Sequence, residues 1–228
     1  MKNKMKKLRL PYYDYKTPGW YFITICTKNR EWYFGKINNN VIILSYIGDI
    51  VKNYWFKITE HNENIALDEF IVMPNHLHGI VIIKDNREIP QIGEGYFNNL
   101  SKITKTIPID HFVGQGHALD LQNENDLQNG RDTDFCWKQQ KDNLSTVLGG
   151  YKSAVSKAVH ENITSDFNWQ VSFYDHIIRD EDSLENIQNY IFENPLNWEN
   201  DIEFLKTSDN NEIQKYYKSI FKYKSILK

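Results

Sequence analysis

Leu67-Asp68-Glu69-Phe70-Ile71-Val72-Met73 and His76-Leu77-His78-Gly79-Ile80-Val81-Ile82-Ile83-Lys84 are two extended runs broken by Pro74-Asn75. Proline cannot donate to a strand ladder and Pro-Asn favours a turn, so the two runs predict an antiparallel hairpin bent at that dipeptide. Side chains alternate along a strand, which puts His76 and His78 on one face and Leu77 on the other. Two imidazoles side by side at a strand start make a grip for a metal ion. The competing reading is a pair of half-buried histidines bonded to neighbouring backbone, and a third ligand has to come from elsewhere in the fold.

On the amino-terminal side of the hairpin, Gly19 to Thr27 is aromatic and β-branched, follows Pro18, and reads as a central strand. A short strand at Val41 to Leu44 precedes Ser45, a helix cap. Ile47, Ile50, Val51, Tyr54, Trp55 and Ile58 then recur at spacings of three and four, predicting a helix over about 46–60. On the other side, residues 86 to about 141 are rich in Asn, Gln, Asp and Gly without apolar period and read as an insertion, largely loop. Tyr96, Phe97, Phe135 and Trp137 suggest that its ends pack on the body.

A second helix follows an Asn143 cap, its stripe running through Leu144, Val147, Leu148, Tyr151, Val155, Ala158 and Val159. Trp169 to Ile178 predicts another strand. Asp182 or Ser183 then caps a last helix with Leu184, Ile187 and Ile191 as its stripe, ending near Pro195. The order βαββαβ with further carboxy-terminal helix is the ferredoxin-like split βαβ plan of the α+β class, an antiparallel sheet with helices on one face. At 228 residues the chain fits one domain, 1–228, with an insertion and basic terminal arms.

Charge is segregated. Residues 1–36 carry nine Lys or Arg against two acids, and 206–228 carry six against two, although the formal net charge is −3. The arms suit phosphate contacts; the acidic balance of the whole does not favour nucleic acid. Lys6, Lys7, Arg9, Tyr12 and Tyr13 interleave cations with rings on which bases can stack, or form a packed terminal arm. Cys26 and Cys136 have no metal-binding spacing, which argues against a disulfide scaffold or a thiolate zinc site. Neither a signal peptide nor a membrane span is legible, so a cytoplasmic protein is expected.

In the last predicted helix Tyr190 and Asn194 stand four apart, hence on one face, at the edge of the apolar stripe. A phenol with a pKa of about 10 attacks phosphate poorly unless a metal polarises the phosphodiester and helps stabilise the phenolate. The histidine pair offers that metal. The alternative for Tyr190 is a core aromatic.

Four blocks carry a more specific signal: Gly19-Trp20-Tyr21-Phe22-Ile23-Thr24, Val72-Met73-Pro74-Asn75-His76-Leu77-His78, Trp169 to Arg179, and Tyr190-Ile191-Phe192-Glu193-Asn194-Pro195. As an ordered set over roughly residues 17–198 they resemble the single-tyrosine HUH transposases, in particular the REP-associated tyrosine transposases (RAYT). The resemblance implies an HUH-type transposase domain in which His76 and His78 hold Mg²⁺ or Mn²⁺, Tyr190 is the nucleophile and Asn194 is the third ligand. It implies a DNA partner, single-stranded and hairpin-associated, cleaved to a 5′-phosphotyrosine and a free 3′-hydroxyl and then rejoined by a monomer or a homodimer. His176 falls in the third block as active-site support, either orienting Tyr190, touching DNA or satisfying a buried bond, and Arg179 is a further DNA-binding candidate. Rival expectations are a domesticated relative that binds structured DNA with weak or no cleavage, a non-catalytic DNA- or RNA-binding module, and a phosphodiesterase that uses water.

Overall fold

The computed structural model describes residues 13–85, 104–106, 143–205, 207 and 209–221. Strands β1 (Gly19–Cys26), β4 (Ile65–Val72), β5 (His76–Ile83) and β7 (Tyr174–Ile178) form one sheet in the order β4-β5-β1-β7. All three pairings are antiparallel. This is the split βαβ arrangement: β5 lies between β1 and β4, the two strands that the first helix connects. That helix, α1 (Tyr46–His61), and α2 (Leu144–Asn162) are the two crossovers of the plan; α3 (Glu181–Glu193) and α4 (Asn210–Phe221) follow it. A small second sheet pairs β2 (Gly35–Asn38) with β3 (Val41–Leu44), and β3 in parallel with β6 (Thr104–Thr106).

The predicted hairpin is present, with Met73 N–H donating to the His76 carbonyl at 2.8 Å to close the bend at Pro74-Asn75. Strand alternation then sorts two cores. Tyr21, Ile23, Ile25, Leu77, Val81 and Ile83 face α1 and α2. Phe22, Ile71, Met73, Ile80, Ile82 and Ile178 face the other way and pack with Ile187 and Ile191 of α3 and Ile213 and Tyr217 of α4. The expectation of helices on one face is therefore corrected: the carboxy-terminal helices cover the second face, because that face is itself apolar and costs free energy in water.

Local chemistry accounts for the boundaries. Ser45 caps α1, its hydroxyl accepting from Gly48 N–H at 3.1 Å, and Asn143 caps α2 as expected. Helix α3 begins earlier than predicted, since Asp180 rather than Asp182 or Ser183 is the cap and accepts from Ser183 N–H at 2.7 Å. Strand β7 is shorter than the predicted run because Trp169 only bridges to Thr27 and the chain bends before Tyr174. Strand β2 was not expected; it is four residues long with only Gly35 buried, so it offers little apolar pattern. Of the insertion at 86–141, only Thr104–Thr106 is described; Tyr96, Phe97, Phe135, Trp137 and Cys136 lie outside the described residues, as do Lys6, Lys7, Arg9 and Tyr12. Cys26 is a buried free thiol, and no helix among the described residues is long and apolar enough to cross a membrane.

Candidate metal and tyrosine site

His76 and His78 lie on the face of β5 that meets α3 and α4, both fully buried. Register with β1 puts Thr24 beside His78 and Cys26 beside His76. The imidazoles converge, with Nε2 to Nε2 3.0 Å, and their other nitrogens are tied back. Asn75 Nδ2 donates to the carbonyls of Glu203 at 3.1 Å and Arg30 at 3.4 Å. That fixes its amide so that Oδ1 accepts from His76 Nδ1 at 2.8 Å, making Nδ1 the protonated nitrogen of His76.

A relay does the same for His78. Tyr217 donates to Glu203 Oε1 at 3.2 Å, so Thr24 must donate to Tyr217 at 3.2 Å. The Thr24 oxygen then accepts from His78 Nδ1 at 2.9 Å. With a proton on each Nδ1, the two Nε2 atoms aim at the same point, and two lone pairs that close repel unless a proton or a cation lies between them. Burial, with His78 alongside, pushes the His76 pKa well below the ordinary histidine value, which keeps it in the neutral, metal-binding form.

Helix α3 delivers Tyr190 to this point. Its hydroxyl lies 3.0 Å from His78 Nε2 and donates to Asp201 Oδ2 at 2.9 Å. Burial first, and then the charge of Asp201, raises the phenol well above its usual pKa. Four residues on, at the carboxy-terminal cap of α3, Asn194 Nδ2 donates to the same Asp201 oxygen at 2.8 Å. Asn194 Oδ1 is buried with no hydrogen-bond partner among the described residues. The donor set fits a divalent cation: ligand atoms of His76, His78 and Asp201 all lie within 4.8 Å of one another, and the orphan amide oxygen of Asn194 has the hard character such an ion takes. Burial works against the Asp201 carboxylate, but the neighbouring His78 first, then His76, and the hydrogen bond from Asn194 outweigh that and hold its pKa below the ordinary carboxylate range.

The site is roofed by the segment after α3. Trp198 stacks on His76 with centroids 5.9 Å apart, Tyr216 donates to Asp201 Oδ2 at 3.4 Å, and Tyr217 is fully buried. Glu203 is ion-paired with Arg30, whose guanidinium also donates to Gln170 Oε1 at 2.6 Å.

Three residues named from the sequence therefore meet here as a group with Tyr190: His76, His78 and Asn194. His176 does not join them. It lies opposite Phe22 in the β1–β7 register and stacks on Phe221 at 3.9 Å, where burial lowers its pKa to about 4. Tyr13 is part-buried, its ring edge-on to Tyr15 and its hydroxyl 3.2 Å from that of Tyr21; Arg179 is exposed at the end of β7. Asp201, Thr24, Asn75, Tyr216 and Tyr217 were not expected at the site from the sequence. Thr24 and Asn75 stand inside the blocks that carry the resemblance, whereas Asp201 follows a turn with no periodic signal.

The βαββαβ sheet thus carries a histidine pair that faces a helical tyrosine. The chain is 34% identical over 196 residues to an uncharacterized protein of Haemophilus influenzae, spanning 86% of this chain and 91% of that one, and it belongs to the same family as that protein. No family model matches it. In structure it is similar to a REP-associated tyrosine transposase bound to a REP hairpin, with TM-score 0.47 and 13% identity over 98% of this chain and 94% of that one. It is also similar to a candidate transposase from Deinococcus radiodurans R1, with TM-score 0.35 and 15% identity over 82% of this chain and 95% of that one.

Proposed function

We propose that this chain is a metal-dependent transposase-type enzyme that cleaves and rejoins single-stranded, hairpin-associated DNA through Tyr190. The observation that carries the reading is the placement of the Tyr190 hydroxyl 3.0 Å from His78 Nε2, beside the converging His76. A Mg²⁺ or Mn²⁺ ion held by His76, His78 and Asn194 would polarise the scissile phosphodiester and offset the charge of the phenolate. The Tyr190 oxygen attacks phosphorus, the bond from phosphorus to the 3′-oxygen breaks, and the products are a 5′-phosphotyrosine and a 3′-hydroxyl. The phenol already donates to Asp201 Oδ2, so its proton has an acceptor, and the leaving 3′-oxygen takes up a proton in turn. Attack by another 3′-hydroxyl reverses these steps and joins two strands without a further energy source. Arg179, exposed just past the end of β7, and the basic arm before Tyr13 are the DNA contacts of this reading.

A second reading, a domesticated DNA-binding relative with weak cleavage, is favoured by the roof over the site: Tyr217 and His78 are both fully buried. One experiment separates them. The protein is incubated with 5′- and 3′-labelled hairpin DNAs and Mg²⁺ or Mn²⁺, with Tyr190→Phe and His76→Ala beside it, and label is sought on denatured protein. A metal-dependent adduct lost in both variants supports the enzyme; tight binding without adduct across the panel supports the binding protein.

A further inference from the structure

We propose that Asp201 is the anionic ligand of the cation at this site, with the Asn194 amide acting chiefly as the group that aims it. The inference rests on the metal reading of His76 and His78 given above. Asp201 sits in the turn after Trp198–Asn200, and only 1% of its surface is exposed. Among the described residues, the groups that donate to its carboxylate are uncharged: Tyr190 and Tyr216 hydroxyls and Asn194 Nδ2 on Oδ2, and Glu203 N–H at 2.7 Å on Oδ1. The nearby guanidinium of Arg30 is taken by Glu203.

A buried carboxylate with hydrogen bonds but no cation is a costly state, and a cation between it and the imidazoles removes that cost. His78 Nε2 is 3.9 Å from Asp201 Oδ2, too far for a hydrogen bond and close enough for two ligands of one ion. Hard divalent ions take oxygen donors, and two neutral imidazoles supply neither oxygen nor charge; Asp201 supplies both. Asn194 spends its Nδ2 on Asp201, which orients the carboxylate as outer hydrogen-bond donors orient metal ligands elsewhere. Its Oδ1 stays available as an additional neutral donor. Because Asp201 lies beyond α3, cation binding then ties the 198–205 segment to the sheet.

The test is binding of Mn²⁺ alone, followed by electron paramagnetic resonance on the full chain without DNA, for wild type, His76→Ala, Asp201→Asn and Asn194→Ala. Affinity is expected to fall by more than about tenfold in His76→Ala and Asp201→Asn and by less in Asn194→Ala. As a gain of signal that a folding defect cannot mimic, Asp201→Cys loaded with Co²⁺ is expected to show a thiolate-to-cobalt charge-transfer band absent from wild type. Wild-type affinity in Asp201→Asn, with affinity lost in His76→Ala and no band in Asp201→Cys, overturns the role of Asp201 and leaves the histidine site standing. Wild-type affinity in His76→Ala overturns the metal reading itself.

Discussion

Tyr217 is the residue through which the far helix sets the protonation of a histidine it does not touch by hydrogen bond. Its hydroxyl accepts from Thr24 while donating to Glu203, and that fixes the Thr24 proton and with it the tautomer of His78. Tyr217→Phe removes this constraint. It is expected to cost about 1 kcal/mol in stability and to populate the other His78 tautomer, visible as a change in the two ring-nitrogen shifts by NMR; unchanged shifts would show that Thr24 alone holds the ring. Tyr190→Phe should abolish covalent adduct while leaving hairpin binding within about twofold, because the phenyl ring keeps its packing on Phe22 and only the hydroxyl is lost; binding lost together with the adduct would place Tyr190 in DNA recognition. At this scale the pairing of His76 with His78 and of Tyr190 with Asn194 was legible because strand and helix periods place each pair on one face, whereas the role of Asn194 came only with the resemblance. Asp201 was not legible, since a residue after a turn has no period from which its direction can be read.

At the scale of elements, caps and close approaches decide how firmly the hairpin is held behind the site. Gly79 on β5 faces away from the histidines, and a Cβ there would lie 2.5 Å from Trp55 Cζ2 and 2.8 Å from Cη2. Trp55 is fully buried and stacks on Phe70, so it has little room to yield. Gly79→Ala is therefore expected to destabilise by about 1–3 kcal/mol, read as a lowered urea midpoint, whereas an unchanged midpoint would mean that the indole moves freely. Ser45→Ala, which removes the α1 cap, should cost about 1 kcal/mol in the same measurement. The extents of β1, α1, β5 and α2 follow from apolar period plus a capping residue. The start of α3 does not, because Asp180, Asp182 and Ser183 all suit a cap and only the turn after β7 selects Asp180.

Taken whole, the molecule is a sheet buried on both sides, and the strand pattern already contained this: β5 is buried at every position from His76 to Ile83. A strand so apolar on both faces requires cover on both, which the plan with helices on one side left out. Burial on that scale leaves some ionisable groups without water, and they set the pH response of the fold. Glu69 at the bulge of β4 is 7% exposed; burial, then the neighbouring Asp68, raises its pKa to about 7. Below its unfolded value of about 4.5 it is protonated in both states and costs nothing. As the pH rises from there to about 7 the unfolded chain releases the proton and the folded chain keeps it, so stability falls. His176 works in the opposite sense: its folded pKa is lowered to about 4, so stability falls as acid protonates the unfolded chain below about 6.5. The two slopes oppose each other between about pH 4.5 and 6.5 and partly cancel. Glu69→Gln removes the first and keeps the shape of the side chain. The variant should match wild type near pH 4 and become relatively more stable as the pH rises, by on the order of 1–2 kcal/mol above pH 7 after screening by nearby solvent. Thermal midpoints of both proteins from pH 4 to 8 check this, and a difference independent of pH would mean that Glu69 ionises as freely in the folded chain as in the unfolded one.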